Sequence, residues 1–452
     1  MIPREHKLKI GVSGIRGEVG EFLTPSLACG FAQAFGTYVG AGRVVLGRDT
    51  RASGEMIQHA VCCGLLASGC EVVQVGILPT PTIQVYVGAA GSRGGIAITA
   101  SHNPPEYNAL KLFNRHGLFL NHYERSELID LYHQSDFEHA DNARIRRIVS
   151  DVETPKRLHF ERVLHFVDVE RIRKRRFRVA LDGVNGAGSL LSIEFLRDRL
   201  GCDLHPIAVD PSKPFPREAE PRADTLGELS ALVRRERCDV GFGQDPDGDR
   251  LAIADETGRV IDNDDVLALV VDSVLRRLSG DVVVNLTTSS AIDDVASAHG
   301  RRVYRTPVGE ANVVERMRAV KAVIGGEGSN GGIIFPAVQY CRDSYTGMAF
   351  ILDLMASDGE PFSAMAGRLP RYWRLSGKMD FEHGRLGMLM QNIEEALLAP
   401  VIDRSDGLKL IWPDGLIHVR ASNTEPVLRM AVEAKNEARL RQLHDRLRQF
   451  WG

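Results

Sequence analysis

Short apolar runs rich in β-branched residues alternate with longer amphipathic segments along most of the chain, and this alternation restricts the possible folds more than any other feature. The apolar runs are residues 44–46, 72–75, 96–98, 179–181, 282–284 and 322–324. Helix-like segments such as residues 24–40 and 54–69 separate them. Strands that alternate with helices predict βαβ units and parallel or mixed sheets.

The ends of the runs indicate how the chain divides into domains. Three runs end in polar turns that begin at Gly47, Asp182 and Asn285, which indicates three related α/β units. The last segment differs, because three strand-like runs precede an amphipathic helix that starts near Asn436. The 452 residues also exceed the usual domain length of roughly 100–150 several times. We therefore predict three related mixed α/β domains, at residues 1–153, 154–256 and 257–368, and a C-terminal α+β domain at residues 369–452.

Composition excludes several classes of protein. The formal net charge of −3 argues against a dedicated nucleic-acid-binding protein, and the basic run at residues 171–176 is typical of a solvated helix end. No stretch reaches the roughly 18 apolar residues that a membrane span requires. Seven cysteines without a Cys-x-x-Cys pair indicate reduced thiols rather than a disulfide framework. We expect a cytoplasmic protein that binds neither nucleic acid nor membrane.

The acidic turn Asp245-Pro246-Asp247-Gly248-Asp249-Arg250 is the strongest local signal. Three carboxylates at alternate positions converge on one hard cation if the loop curves around it, whereas without a cation they repel one another. A solvated acidic turn is one alternative. An EF-hand loop is another, but its sixth position would be Arg250 instead of glycine, and the flanking residues are strand-like. The pattern favours Mg²⁺, because three carboxylates leave room for a phosphate oxygen and water.

A serine stands at the tip of the predicted strand that ends at Ile98. Ser101 is followed by His102 and two prolines, and Lys111 lies ten residues further on. Ser101 could be a nucleophile, a phosphorylation site or part of a polar turn. A Ser-His-Asp hydrolase is disfavoured, because adjacent residues in an extended turn point in opposite directions and no Gly-x-Ser-x-Gly motif occurs. A phosphoserine would supply oxygen ligands to a cation at the acidic turn.

Three further motifs suit the recognition of a sugar phosphate. The segment around residues 419–430 concentrates donors that suit a phosphate dianion, although a hydrogen-bonded turn with surface arginines is the alternative; the donors are Arg420, Ser422, Asn423, Thr424 and Arg429. Glu327 lies in a glycine-rich loop where a carboxylate can accept hydrogen bonds from two vicinal sugar hydroxyls, and a plain tight turn is the alternative. Arg16 stands between glycines that allow close approach of a ligand.

Four of these motifs together resemble those of the α-D-phosphohexomutase family, in the same order along the chain. Residues 99–104 resemble the family's phosphoserine loop, residues 245–250 its Mg²⁺ loop, residues 326–332 its sugar-binding loop and residues 420–426 its distal phosphate loop. The resemblance implies four domains around a central active-site cleft. It also implies that a hexose 1,6-bisphosphate phosphorylates Ser101 and is the intermediate between hexose 6-phosphate and hexose 1-phosphate.

The resemblance further implies a role for each candidate residue. Ser101 would carry the phosphoryl group and, with Asp245, Asp247 and Asp249, would hold Mg²⁺. Lys111 would be the acid/base, supported by His102; arginine cannot release a proton at physiological pH, and only ten of the 56 basic residues are lysine. Arg16 and Arg250 would stabilise charge near the transferred group. The remaining candidates would bind the substrate: Glu327, Ser329, Asn330, Arg420, Ser422, Asn423, Thr424 and Arg429.

Departures from the family pattern bear on the substrate. The sugar-binding loop lacks the histidine that many members have, and residues 305–317 resemble the phosphoglucosamine mutase branch, particularly its archaeal members. We therefore expect glucosamine phosphate as the substrate, with mannose or glucose phosphate as the alternative. A catalytically silent sugar-phosphate-binding protein and a Mg²⁺-dependent phosphatase are further alternatives. We expect a monomer or a homodimer.

Overall fold

The computed structural model describes residues 9–11, 14–380, 384–421 and 427–450. Contacts between residues divide the chain into two units, one comprising residues 1–266 and 330–367 and the other residues 267–329 and 368–452. Within the described ranges, no helix combines the length and apolar character that crossing a membrane requires.

The first unit begins with a mixed sheet of seven strands. Their spatial order is Lys9–Gly11, Gly14–Glu18, Tyr107–Asn114, Gly94–Ile98, Arg43–Arg48, Glu71–Ile77 and Ile148–Ser150. Gly94–Ile98 is parallel to Arg43–Arg48 and antiparallel to Tyr107–Asn114. The helices of this region are Pro25–Val39, Gly54–Ala67, Thr80–Ala89 and His122–Gln134. β-Branched side chains of the central strands pack against Phe31 and Phe35 of the first helix, which gives this sheet its core.

The first unit also contains a mixed sheet of four strands. Their order is Leu251–Asp255, Val240–Gln244, Arg178–Asp182 and Asp203–Ile207, and only the first pair is antiparallel. The other elements of this region are the helices Glu153–Leu164, Val169–Arg175, Ser189–Ile193 and Gly227–Glu236 and a π-helical segment, Glu194–Arg199. The strand Gly332–Ile334 and the helices Ser344–Asp358 and Phe362–Gly367 complete the unit. The acidic turn connects the antiparallel strands Val240–Gln244 and Leu251–Asp255.

The second unit has a parallel region and an antiparallel region. In the parallel region, Val282–Asn285 lies between Val303–Thr306 and Ile324–Glu327, and the helices are Ala291–Ala298 and Glu310–Val320. The antiparallel sheet has the order Trp373–Asp380, Val427–Ala434, Gly415–Ala421, Leu408–Trp412 and Val401–Asp403, with the helices Leu386–Leu397 and Glu437–Arg448. The helix Asn263–Leu275 and the 3₁₀ turn Gly328–Asn330 include points where the chain passes between units.

These elements confirm the predicted fold class of mixed α/β sheets followed by an antiparallel α+β region. The apolar runs coincide with strands, except that the last begins at Ile324 rather than at residue 322. The basic run ends a helix, as predicted, and Arg176 follows in the left-handed conformation. All seven cysteines are free, and Cys63 is exposed while five others are buried. The domain boundaries stay a prediction.

Candidate active site

Ser101 occupies a tight turn after the strand Gly94–Ile98. Its φ of 50° lies in the left-handed region, which is rare for a serine and indicates a constrained backbone. Its N–H donates to Thr99 Oγ1 at 3.0 Å, and its side chain is buried. Ser101 Oγ donates to Asp245 Oδ2 at 2.8 Å across 144 residues of sequence. The fold therefore brings the serine turn and the acidic turn into direct contact.

Arg51 fixes the serine turn through hydrogen bonds to its backbone. Its guanidinium is fully buried and donates to four carbonyl oxygens, those of Ser101 (2.6 Å), Asn103 (2.7 Å), Pro104 (2.6 Å) and Tyr107 (3.0 Å). Arg51 Nε donates to Asp49 Oδ2 at 3.1 Å, and the same oxygen accepts a hydrogen bond from Thr99 Oγ1 at 2.6 Å. A guanidinium offers five donors in a rigid plane, so one residue fixes several points of the turn.

The three carboxylates of the acidic turn form a compact buried group. Asp245, Asp247 and Asp249 each offer an oxygen, and these atoms lie within 4.8 Å of one another. Asp247 Oδ1 and Asp249 Oδ1 are buried and accept no hydrogen bond from any described residue. A buried carboxylate oxygen without a partner is costly. A hard cation would supply the missing partner, so the residues present fit Mg²⁺.

The opposite oxygens of Asp247 and Asp249 are held by other side chains. Asp247 Oδ2 accepts hydrogen bonds from Thr80 Oγ1 at 2.6 Å and from Lys111 Nζ at 2.5 Å. Asp249 Oδ2 accepts from Arg342 Nη2 at 2.8 Å and from Lys111 at 3.3 Å. Each of these carboxylates therefore has one oxygen bound to the protein and one without a described hydrogen-bond donor.

Buried charges lie close together in and beside the acidic turn, and they shift the pKa values of Asp245 and Lys111. Burial and the neighbouring carboxylates of Asp249 and Asp247 raise the pKa of Asp245 well above its ordinary value. Burial acts to lower the pKa of Lys111, but Asp247 and Asp249 outweigh it, so that this pKa is raised. The ammonium of Lys111 consequently remains protonated beside these carboxylates.

His102 corrects one expectation from the sequence. We expected Ser101 and His102 to point in opposite directions, but His102 Nδ1 lies 3.4 Å from Ser101 Oγ. The expectation was wrong because it assumed an extended turn, whereas Ser101 is left-handed. Arg250, burial and Arg16, in that order, lower the pKa of His102, so its imidazole is neutral.

Arg16 and Arg250 contribute positive charge to this region. Arg16 Nη1 donates to Asn103 Oδ1 at 2.6 Å, in the serine turn. Burial and the charge of Arg250 lower the pKa of Arg16 to about 10, so it remains charged at neutral pH. Arg250 forms an ion pair with Glu220. The surroundings of Ser101 therefore combine carboxylates with several cations, which suits the transfer of an anionic group.

In the second unit, Glu327 lies at the end of the strand Ile324–Glu327 and is 2% exposed. Its Oε1 accepts hydrogen bonds from Asn285 Nδ2 at 3.0 Å and from the Gly309 N–H at 2.8 Å. Ser329 Oγ is exposed and lies 3.3 Å from Thr287 Oγ1. Asn330 is half-buried and belongs to the first unit.

The predicted phosphate-binding residues of the C-terminal region are described in part. Arg420 and Arg429 face each other in register on the antiparallel strands Gly415–Ala421 and Val427–Ala434. Burial lowers the pKa of Arg420, and two adjacent guanidinium groups on paired strands suit an anion. Three other candidates lie outside the described residues: Ser422, Asn423 and Thr424.

Three residues of the site were not predicted from the sequence: Arg51, Thr80 and Arg342. Arg51 follows the polar turn that begins at Gly47, so the turn was a usable signal, although it did not indicate which donor reaches the serine. Thr80 and Arg342 have no local signal, because their significance arises only from contact with Asp247 and Asp249.

Comparisons with known proteins identify the family of the chain. The family models for phosphoglucomutase/phosphomannomutase α/β/α domains I, II and III match residues 7–139, 157–258 and 262–372, and the model for its C-terminal domain matches residues 385–450. A "Phosphoglucomutase/phosphomannomutase" of Thermococcus kodakarensis is 40% identical over 441 residues, and the match covers 96% of each chain. A "Probable phosphoglucosamine mutase" of Methanopyrus kandleri is 37% identical over 439 residues, with the same coverage.

A solved structure is similar over the full length. The phosphoglucomutase/phosphomannomutase family protein of Burkholderia thailandensis has a TM-score of 0.86 at 25% identity, and the match covers 100% of this chain and 97% of that one. Sequence motifs, sheet topology and these matches agree. The chain therefore belongs to the phosphoglucomutase/phosphomannomutase family, the α-D-phosphohexomutases, and is a phosphohexomutase, an isomerase-class enzyme that transfers a phosphoryl group.

Proposed function

We propose that the protein interconverts hexose 6-phosphate and hexose 1-phosphate through a phosphoserine at Ser101 and a bisphosphate intermediate. The observation that carries this proposal is the contact between Ser101 Oγ and Asp245 at 2.8 Å. It puts a buried hydroxyl in a constrained turn against the candidate metal ligands. In the first half-reaction, the bond from phosphorus to Ser101 Oγ breaks, and a bond from phosphorus to the free sugar hydroxyl forms. The second half-reaction returns the other phosphoryl group to Ser101.

Asp245, Asp247 and Asp249 would hold Mg²⁺ in this reaction. When bound, Mg²⁺ would offset the charge of the phosphoryl group and contribute a Lewis acid. Two observations support this assignment: the two buried oxygens without described hydrogen-bond donors, and the hydrogen bonds that fix the opposite oxygens.

Lys111, His102, Arg16 and Arg250 have proposed roles around Ser101. Lys111 is buried, and its raised pKa keeps the ammonium protonated, so that it has a proton to donate to Ser101 Oγ as that oxygen leaves phosphorus. The neutral His102 lies beside the same oxygen and would assist. Arg16 and Arg250 would stabilise negative charge that develops on the transferred group.

The candidate binding residues of the C-terminal half would orient the substrate. Glu327 would accept hydrogen bonds from sugar hydroxyls, with Ser329 and Asn330 nearby in sequence. Arg420 and Arg429, together with Ser422, Asn423 and Thr424, would bind the phosphate that is not reacting. Such remote binding contributes to the rate by fixing orientation, an effect worth several kcal/mol of the barrier.

We propose glucosamine 6-phosphate and glucosamine 1-phosphate as the preferred pair. The sugar-binding loop without histidine and the name of the Methanopyrus kandleri relative support this choice. The name of the Thermococcus kodakarensis relative favours a second candidate, glucose or mannose phosphate. Measured kcat/KM values for glucosamine 6-phosphate, mannose 1-phosphate and glucose 1-phosphate decide between them. A lowest value for glucosamine 6-phosphate would make the proposed preference wrong.

The phosphoserine mechanism has its own test. Incubation with a labelled hexose 1,6-bisphosphate and Mg²⁺ should place label on Ser101, and the sugar isomer should accumulate. Absence of label at Ser101 would contradict the mechanism. Release of free phosphate in place of the isomer would instead indicate the phosphatase alternative.

A further inference from the structure

The carboxylate of Glu327 depends on two turns for its orientation. Its Oε1 accepts hydrogen bonds from Asn285 Nδ2, in the turn after the strand Val282–Asn285, and from the N–H of Gly309. Gly309 has a φ of 129°, which non-glycine residues rarely adopt, so this close backbone contact needs a glycine. A shift of either turn would displace the donor that holds Glu327.

The first turn is held by a buried lysine from the C-terminal region. Lys409, on the strand Leu408–Trp412, is 1% exposed, and its Nζ donates to the carbonyl oxygen of Leu286 at 2.6 Å. Leu286 directly follows Asn285. Burying an ammonium costs free energy that a methionine of similar length would not, so stability alone does not account for a lysine here.

The second turn is held by a carboxylate three residues before that lysine. Asp406 Oδ2 accepts a hydrogen bond from the N–H of Val308 at 2.9 Å, and Val308 directly precedes Gly309. The backbone of Asp406 is fixed in turn, because His418 Nε2 donates a hydrogen bond to its carbonyl oxygen at 2.8 Å. His418 pairs in register with Lys409 on the adjacent strand. One short segment therefore contacts both turns that orient Glu327.

We propose that Asp406 and Lys409 are positioning residues for Glu327, each acting through a group that donates to its carboxylate. The inference rests on the proposed role of Glu327 in binding the sugar. Asp406 and Lys409 lie in the segment that matches the C-terminal domain model, whereas Glu327 lies in the segment that matches domain III. Residues far from the sugar-binding loop in sequence would thus set its affinity for the sugar.

The test compares two ligands in the full-length enzyme. Lys409→Met and Asp406→Ala should each weaken binding of glucosamine 6-phosphate about five- to twentyfold, the loss expected for a displaced hydrogen-bonding group. Binding of inorganic phosphate to Lys409→Met should stay within about twofold, because it does not use Glu327. Asp406→Ala is compared by its glucosamine 6-phosphate affinity only, because the charge of Asp406 also acts on Arg420. Titration calorimetry gives both dissociation constants. The exposed residues Lys435 and Asp445 provide matched controls, Lys435→Met and Asp445→Ala, which should change neither constant.

A double-mutant cycle with Glu327→Gln separates the possible outcomes. If Lys409 acts through Glu327, Lys409→Met should add little to the effect of Glu327→Gln. If Glu327→Gln leaves glucosamine 6-phosphate binding unchanged, the proposed role of Glu327 is wrong and the inference fails with it. If Glu327→Gln weakens binding but Lys409→Met and Asp406→Ala do not, only the positioning role is wrong. Equal weakening of inorganic phosphate binding in Lys409→Met would also overturn it, because that result indicates a general structural defect.

Discussion

At the residue scale, the site is built from side chains whose environments differ sharply over a few ångströms. Ser101 adopts a strained backbone conformation, and Arg51 donates to four carbonyl oxygens of the same turn. Asp247 and Asp249 each have one oxygen that accepts hydrogen bonds from the protein and one buried oxygen without a donor among the described residues. Strain and unsatisfied polar atoms are costly for folding, and they concentrate where a ligand or a reaction makes use of them.

Ser101→Ala tests the carrier role directly. The substitution removes the oxygen that would carry the phosphoryl group, so turnover should fall by about a thousandfold or more. Binding of glucosamine 6-phosphate should be retained within about threefold, because the proposed sugar and phosphate contacts remain. A coupled mutase assay and calorimetry measure the two quantities. Ser297→Ala, at an exposed helix position, is the control. Substantial residual turnover in Ser101→Ala would contradict the carrier role.

Arg51→Met tests whether the turn must be held in place. Loss of the four carbonyl contacts should displace Ser101 slightly, and a misplacement of about 1 Å can cost about a hundredfold in rate. We expect kcat to fall by this order while KM changes little. Arg51→Lys should recover only part of kcat, since an ammonium cannot reach several carbonyls in one plane. Melting curves establish the temperature at which both variants are folded. A change in KM alone would argue against the positioning role.

At the element scale, the acidic turn depends on its neighbours. The turn joins two antiparallel strands. Thr80, the first residue of the helix Thr80–Ala89, donates a hydrogen bond to Asp247 in this turn. On another side, Arg342 donates to Asp249, and Ser344 Oγ donates to the carbonyl oxygen of Gly248 at 2.7 Å. Two separate segments thus fix the geometry of a loop whose own charges repel.

This repulsion predicts that Mg²⁺ stabilises the folded protein. At a free concentration of about one hundred times Kd, binding to the folded state alone contributes about 2.7 kcal/mol and raises Tm. Asp245→Asn should reduce this Tm increase, because it removes a ligand. The same variant without metal should be at least as stable as the wild type, because it removes a repelling charge. Differential scanning fluorimetry with and without Mg²⁺ measures both effects, and the exposed Asp130→Asn is the control. An unaltered Mg²⁺ response in Asp245→Asn would exclude Asp245 as a ligand.

At the scale of the whole molecule, buried charge links stability to pH. Burial and Arg305 lower the pKa of Lys409 to about 7. The other charged groups around it are Glu433, Asp293 and Asp403, and His418 is paired with it across the sheet. Burial also lowers the pKa of His418, to about 4, so His418 stays neutral above pH 6. Lys409 is therefore the group of this cluster that changes charge near neutral pH.

Lys409→Met should consequently stabilise the protein in a pH-dependent manner. The pKa of Lys409 is about 7 in the folded protein and 10.5 ordinarily, so between these values the unfolded chain binds more protons and wild-type stability rises with pH. The variant carries no such penalty, so its advantage, on the order of 5 kcal/mol at most, is largest at about pH 6 and declines towards pH 9. Tm measured across this range for both proteins checks the trend. A difference independent of pH would mean that Lys409 does not titrate in this window.

Much of this architecture was predictable because it depends on local sequence. Alternating apolar runs specified most strands and helices, since burial of a periodic apolar face is a property of a short segment. The acidic turn was recognisable as a candidate metal loop for a similar reason, because three carboxylates at alternate positions have few other uses. The conformation of Ser101 was not predictable, because Arg51 and Asp49 impose it from the turn that follows the strand Arg43–Arg48. The roles of Thr80 and Arg342 were not predictable either, because they arise from contacts with Asp247 and Asp249, which are distant in sequence.

The sequence by itself determined the class of fold, the family and most of the residues proposed for chemistry, because these reside in contiguous motifs whose residue types restrict what they can do. Only the tertiary structure decided which groups meet: Ser101 with Asp245, Lys111 with Asp247, and Lys409 with the turn that orients Glu327. Such contacts join residues more than a hundred positions apart. They are set by how strands pair and helices pack around a core, a many-body result that no local pattern encodes.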